Sequence, residues 1–182
     1  PWRILGFTFT NKAAGEMRER AEQLLGHDAK GLWVGTFHSI CARLLRQYGE
    51  PVGLSRNFVI YDDADQVSLI KRILKDDGIP ERLFSPKEVR WHIDKAKNAG
   101  IGPDQYDGED YYTDRVEQIY EEFEKRLTAS DAVDFGGLLC KTVELLRKDA
   151  NLQEYLSDRF HHVLVDEFQD TNKVQYDLID LL

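Results

Sequence analysis

Two adjacent carboxylates, Asp166 and Glu167, follow directly on an apolar run at residues 163–165. Such a run predicts a buried parallel strand, and open α/β sheets bind ligands at the carboxyl ends of their strands. Side chains alternate along a strand, so the two carboxylates are expected to have different roles. One could bind Mg²⁺ and the other could orient or deprotonate a water, which suits nucleoside triphosphate hydrolysis. A plain acidic turn after a strand is the alternative.

A second group of candidate residues lies where a predicted strand at residues 4–8 passes into a helix. Thr10 and Asn11 stand at the start of that helix, where free backbone amides can hold a phosphate. Phe9 beside them could stack on a nucleic-acid base. Taken alone, this junction is explained more simply by a capped helix with a core phenylalanine.

The next strand-to-helix junction repeats the pattern with Thr36, Phe37 and His38. These residues offer a hydroxyl, an aromatic face and a ring donor. Because the carboxyl ends of parallel strands meet at one edge of a sheet, both junctions and the acidic pair are expected to lie together.

The order of predicted elements indicates a parallel sheet, because strands alternate with helices at both ends of the chain. We predict an α/β core at residues 1–55 and 131–182, split by an all-helical insertion at residues 56–130. Ser85-Pro86-Lys87-Glu88 predicts a helix start with a capping box inside that insertion. The predicted elements of the core are strands at 4–8, 33–35 and 163–165, and helices at 11–25, about 37–48 and about 134–148, with a last helix capped by Asn172.

Three strands are few for a doubly wound sheet, so the sheet is expected to be incomplete. No Gly-x-x-x-x-Gly-Lys-Ser/Thr sequence occurs in the chain. A nucleotide site of the kind that the acidic pair implies needs the amides, lysine and hydroxyl of such a loop. We therefore expect the loop to lie in polypeptide upstream of this chain.

Composition narrows the possible functions. The chain has 33 acidic and 24 basic side chains and a formal net charge of −9. This charge argues against a protein that binds nucleic acid by general electrostatic attraction. It still permits a local groove that binds single-stranded nucleic acid. Cys41 and Cys140 have no metal or redox spacing and are expected to be buried thiols. No run is long enough to span a bilayer and no signal peptide is evident, which predicts a cytoplasmic location and no membrane partner.

Together these segments resemble the first motor core of superfamily 1 DNA helicases of the UvrD/Rep/PcrA type. The resemblance covers essentially the whole chain, in order and in spacing. The matching segments are Phe7-Thr8-Phe9-Thr10-Asn11-Lys12-Ala13-Ala14-Gly15-Glu16-Met17, Gly35-Thr36-Phe37-His38-Ser39, Ala132-Val133-Asp134-Phe135, and Val165-Asp166-Glu167-Phe168-Gln169-Asp170-Thr171-Asn172 with Gln175.

The resemblance implies a partial RecA-like (P-loop NTPase) core that works with ATP and Mg²⁺ in the complete protein. It implies Asp166 as the metal ligand and Glu167 as the residue that activates water. It places Gln169 and Asp170 near the nucleotide, so that Glu167 and Gln169 are the catalytic candidates and all four contact the cofactor.

The resemblance also implies partners: single-stranded DNA, duplex junctions and possible DNA-repair proteins, with movement 3′ to 5′ along one strand. The residues that it places in the DNA groove are Phe9, Thr10, Asn11, Thr36, Phe37 and His38. Gly136-Gly137 departs from the family, which commonly has two acidic residues there, and is expected to loosen the helix start.

Two other functions stay open at this point. The chain could be a non-enzymatic module that binds DNA or protein, or the motor part of a RecB- or AddA-like helicase-nuclease. Phosphoryl transfer needs several parts at once, and only the metal and water-orienting parts are recognisable here, so the isolated chain is expected to be inactive as an ATPase.

Overall fold

The structure is a computed structural model that describes residues 2–26 and 31–182. Five strands and eight α-helices lie in these two ranges. In chain order they are β1 (Ile4–Thr8), α1 (Asn11–Leu25), β2 (Trp33–Thr36), α2 (Phe37–Tyr48), β3 (Val59–Tyr61), α3 (Asp63–Asp76), α4 (Pro86–Asn98), α5 (Tyr111–Ala129), β4 (Ala132–Asp134), α6 (Phe135–Lys148), α7 (Ala150–Arg159), β5 (His162–Val165) and α8 (Lys173–Asp180).

The main sheet is parallel, with strand order β2-β1-β5. Thr8 pairs with Thr36, and Phe7 pairs with Val165, so the three strands end almost level with one another. Helices α1 and α2 follow β1 and β2 directly, as parallel neighbours require. The predicted α/β class, with its small parallel sheet and helical middle, is confirmed, and its strand–helix order is that of a partial RecA-like core.

A second, two-stranded parallel sheet was not predicted. Val59 pairs with Ala132 and Tyr61 pairs with Asp134, so β3 and β4 bring the two ends of the helical middle together. Each of these strands has three residues, which is too short to show a periodic pattern. Residues 62–129, all of them described, form helices and turns without a strand, as expected.

Two hydrophobic cores lie on either side of this small sheet. One is built from the main sheet with α2, α6, α7 and α8, and it contains the fully buried Leu5, Phe7 and Leu45. The other is formed by α3, α4 and α5 around Ile73, Ile93 and Phe123. We refer to α3–α5 as the helical segment. The exact division of the chain at residues 56 and 130 stays a prediction.

Helix α4 begins where it was predicted to begin, but for a different reason. Ser85 occupies the N-cap position and makes no side-chain capping hydrogen bond, so the predicted capping box is wrong. Pro86 at the first helical position is sufficient, because its fixed backbone angle suits a helix start and its missing N–H needs no partner there. No helix in residues 2–26 and 31–182 has the length and apolarity needed to cross a membrane.

Candidate functional site

The candidate site lies along the carboxyl-terminal edge of the main sheet. The amide of Asp166 donates to the carbonyl oxygen of Phe7 over 3.0 Å, so Asp166 continues the ladder one residue beyond β5. The register puts the ends of β1 and β2, at Thr8 and Thr36, at the same level. The two helix junctions and the acidic pair, which lie far apart in the sequence, therefore leave the sheet from one edge.

The acidic loop, residues 166–171, turns sharply at Glu167. This residue has φ 52° and ψ 46°, a left-handed conformation that costs a residue with a side chain about 1–2 kcal/mol. A hydrogen bond of 2.9 Å from the amide of Asp170 to the carbonyl of Glu167 closes the turn. The side-chain amide of Gln169 donates to the carboxylate of Glu167, which orients that carboxylate. Both Glu167 and Asp166 are exposed.

The donor set suits Mg²⁺ bound together with a nucleotide. Within residues 2–26 and 31–182 no group of three or more His, Cys, Asp or Glu side chains could hold a metal alone. Mg²⁺ in triphosphate sites commonly takes one or two carboxylates and completes its shell with phosphate oxygens and waters. The exposed carboxylate of Asp166 at the end of β5 fits that requirement.

At the first junction, Thr10 is the N-cap of α1. Its hydroxyl oxygen accepts a hydrogen bond of 3.1 Å from the amide of Ala13. Asn11 is the first residue of the helix and is exposed. Phe9 is 37% exposed, and its ring centroid lies 5.6 Å from that of Phe37. One side of the Phe9 ring thus rests on the protein while part of it faces solvent.

The second junction is built in the same way, with a buried aromatic ring. Thr36 caps α2 by accepting from the amide of Ser39 over 3.2 Å. Phe37 is 1% exposed and stacks on Phe7 at 4.5 Å with an interplanar angle of 13°. The expected base-stacking face of Phe37 is therefore covered, and the ring supports Phe9 instead. Burial lowers the pKa of His38, so its imidazole is neutral at pH 7.

A third junction, between β4 and α6, was matched in the sequence without being given a role. Phe135 is 43% exposed, and its ring meets that of His38 edge-on at 5.7 Å. Asp134 caps α6 through a hydrogen bond of 2.9 Å from the amide of Gly137. The signal was available, because a capping side chain next to an aromatic residue marks all three junctions.

Comparison with known proteins identifies the family of the chain that forms this site. The UvrD/REP helicase N-terminal domain family matches residues 1–182. The chain belongs to that family. It is 40% identical over 184 residues to proteins named ATP-dependent DNA helicase PcrA from Bacillus subtilis, Staphylococcus aureus and Staphylococcus epidermidis. Each alignment covers 100% of this chain and 25% of the relative, so the chain spans about a quarter of the length of these curated relatives.

A buried ion pair underlies the third junction of this UvrD/REP-family chain. Lys97, from the end of α4, is 2% exposed and donates to Asp134, which is 0% exposed, over 2.6 Å. A second carboxylate, from Glu124 of α5, lies 2.5 Å from the same ammonium group. Burial disfavours the charge on Lys97, but the two carboxylates outweigh that effect and raise its pKa above its ordinary value.

The position of Lys97 explains why two glycines, which have no side chain, follow Phe135. A Cβ atom on Gly136 would lie 2.9 Å from Cδ of Lys97, and one on Gly137 would lie 2.5 Å from Oδ1 of Asp134. The absence of side chains leaves room for the lysine beside the helix. The expectation of a loose helix start stays a prediction, and the buried carboxylate of Asp134, which caps the helix, acts against it.

Proposed function

We propose that this chain is part of the motor core of an ATP-dependent DNA helicase that moves 3′ to 5′ along one strand. One observation carries the proposal: the acidic loop and the two predicted DNA-contacting junctions leave one edge of a parallel sheet, in register. The names of the PcrA relatives support it. A role in DNA repair or replication and a cytoplasmic location go with this proposal.

The acidic loop would supply the hydrolytic part of the site. Asp166 would hold Mg²⁺, and the bound ion supplies charge neutralisation for the phosphates of ATP. Glu167 would orient and deprotonate the attacking water, with its carboxylate fixed by the amide of Gln169. Asp170 lies at the end of the same turn, where it would stand next to the nucleotide. The phosphate-binding loop would come from polypeptide outside this sequence.

The two helix junctions would form one wall of a groove for single-stranded DNA. Phe9, supported by Phe37, presents part of its ring for base stacking. Thr10 and Asn11 would hold phosphate together with the free amides at the start of α1. These contacts are local, which agrees with an acidic protein that binds DNA without a broad basic surface.

The second junction would extend this wall with Thr36 and His38. A threonine hydroxyl that accepts from a backbone amide keeps its own proton, which it can donate to a phosphate oxygen. The neutral imidazole of His38 offers one ring N–H. We add Phe135, which leans against His38, as a further base-stacking candidate.

The test is a substitution of Glu167 in the complete polypeptide that contains this chain. Glu167→Gln keeps the size of the side chain and removes the base. We expect hydrolysis stimulated by single-stranded DNA to fall by roughly 10²–10⁴-fold while ATP binding persists, measured by phosphate release and equilibrium binding. Glu154→Gln, on the exposed face of α7, is the control. Full turnover by the Glu167 variant would contradict the assignment, and DNA binding without any turnover in the unsubstituted protein would favour the non-enzymatic alternative.

A further inference from the structure

The last residues of α4 contact both sides of the candidate site. Lys97 holds Asp134, the residue before Phe135, through the buried ion pair. Asn98, the next residue, accepts a hydrogen bond of 2.8 Å at its Oδ1 from Nδ2 of Asn172. Asn172 follows the acidic loop and is the N-cap of α8. Two consecutive residues of the helical segment thus reach the DNA-facing edge and the hydrolytic loop.

The orientation of the Asn172 amide is determined by its own helix. Its Oδ1 accepts from the amide of Gln175 over 2.9 Å, and the side chain of Gln175 accepts in return from the amide of Asn172 over 3.0 Å. This capping box leaves Nδ2 of Asn172 as the free donor, and it points to Asn98. The contact therefore depends on Asn98 offering an acceptor.

The other half of the connection is rigid, because Lys97 and Asp134 are buried. Oδ1 of Asp134 accepts both from the ammonium of Lys97 and from the amide of Gly137. Phe135 follows at once and leans against His38. The end of α4 is thus fixed relative to the DNA-facing edge, while the side-chain link from Asn98 to Asn172 is an exposed hydrogen bond that can break and reform.

We propose that Asn98 is a positioning residue that couples the acidic loop to DNA bound at the sheet edge. This coupling role rests on the proposed function, since it requires that the loop hydrolyses ATP and that the edge binds DNA. Asn98 touches neither ligand. It sets where Asn172, and with it the acidic loop, stands relative to Asp134 and Phe135.

Substitution of the two asparagines by aspartate, singly and together, tests this proposal in the complete polypeptide. Asn98→Asp keeps an acceptor for Asn172. Asn172→Asp keeps its capping oxygen and leaves an acceptor toward Asn98, whose amide can rotate to donate. The double variant places two carboxylates against each other. We therefore expect each single variant to retain DNA-stimulated hydrolysis, and the double variant to lose roughly fivefold or more of the stimulation by an oligothymidylate.

The controls separate positioning from general damage. Asn151→Asp, on the exposed start of α7, adds the same charge away from this contact and should not change the stimulation. The thermal midpoint of the double variant should match those of the single variants, because the contact is exposed. Stimulation of the double variant equal to that of the singles, or loss that follows the thermal midpoint, would overturn the role of Asn98. An unsubstituted protein without DNA-stimulated hydrolysis would instead overturn the proposed function on which it rests.

Discussion

Capping side chains stabilise the helix starts of the candidate site, and two of them have a second use. A hydrogen bond from a backbone amide in the first turn of a helix is accepted by each of three side chains, those of Thr10, Thr36 and Asp134. Such a cap stabilises a helix by about 1 kcal/mol. The two threonines keep a hydroxyl proton for another acceptor. The residues that begin the helices are therefore also able to contact phosphate, and a substitution there would affect stability and binding together.

Residue types and spacing were sufficient to find the junctions but not the direction of their rings. Phe9 and Phe37 stand next to capping threonines in the same pattern, yet Phe9 is partly exposed and Phe37 lies in the core. The difference arises because Phe37 stacks on Phe7 from the middle strand, a contact between residues that are distant in the sequence. Sequence periodicity does not contain that information.

Both thiols are expected to react slowly in the folded chain. Burial raises the pKa of Cys41 to about 12 and that of Cys140 to about 11, so that almost no thiolate exists at a pH of about 8. We expect iodoacetamide to label Cys140 slowly, since it is partly accessible, and the fully buried Cys41 more slowly still.

Mass spectrometry of proteolytic fragments, after timed labelling, measures the two rates. The same chain in urea is the control and should be labelled rapidly at both positions. Faster labelling of Cys41 than of Cys140 in the folded chain would contradict the packing described here.

At the scale of elements, the end of α4 joins the helical segment to the main core. Removing one partner of a buried ion pair leaves the other charge buried and unpaired, which typically costs about 3–5 kcal/mol. We expect Lys97→Met to lower the free energy of unfolding by that amount, measured by urea denaturation of the chain. The raised pKa of Lys97 means that its contribution is complete below its ordinary pKa and is lost only in strong alkali. In the unsubstituted chain the contribution of the Lys97 charge should therefore be equal at about pH 6 and about pH 8.

Lys95→Met provides the matched control for this experiment. Lys95 lies on the same helix, is exposed, and has its ammonium 5.3 Å from the ring of Trp91. Its substitution should change the free energy of unfolding by about 1 kcal/mol or less. Equal losses for Lys95 and Lys97 would show that the buried pair does not hold the elements together.

The long elements could be predicted from the sequence, and the short ones could not. Apolar periodicity over many residues gave α1, α2 and α6 nearly to the residue. β3 and β4 were not predicted, because three residues are too few to show a periodic hydrophobic pattern. Each is stabilised by pairing with a strand about 70 residues away. The start of α4 was predicted correctly from Pro86 although the capping box beside it is not formed.

At the scale of the whole molecule, the chain contains the acidic loop but no Gly-x-x-x-x-Gly-Lys-Ser/Thr sequence. Positioning of the triphosphate depends on such a loop. We expect the 182-residue chain alone to hydrolyse ATP at a negligible rate and to bind single-stranded DNA weakly and in a strongly salt-dependent way. Phosphate release measures the hydrolysis of ATP, and fluorescence anisotropy at several salt concentrations measures the binding of DNA. Robust DNA-stimulated turnover or tight, salt-insensitive binding by this polypeptide would refute the expectation.

Strand β5 is one of the two outer strands of the main sheet within the described residues, and Leu164 on it is exposed. A bare strand edge with an apolar side chain is a template on which a second copy can add its own strand. Purified alone, the chain should therefore tend to self-associate as its concentration rises. A lysine in place of Leu164 would hinder such cross-molecule pairing and keep the isolated chain dispersed for the measurements above.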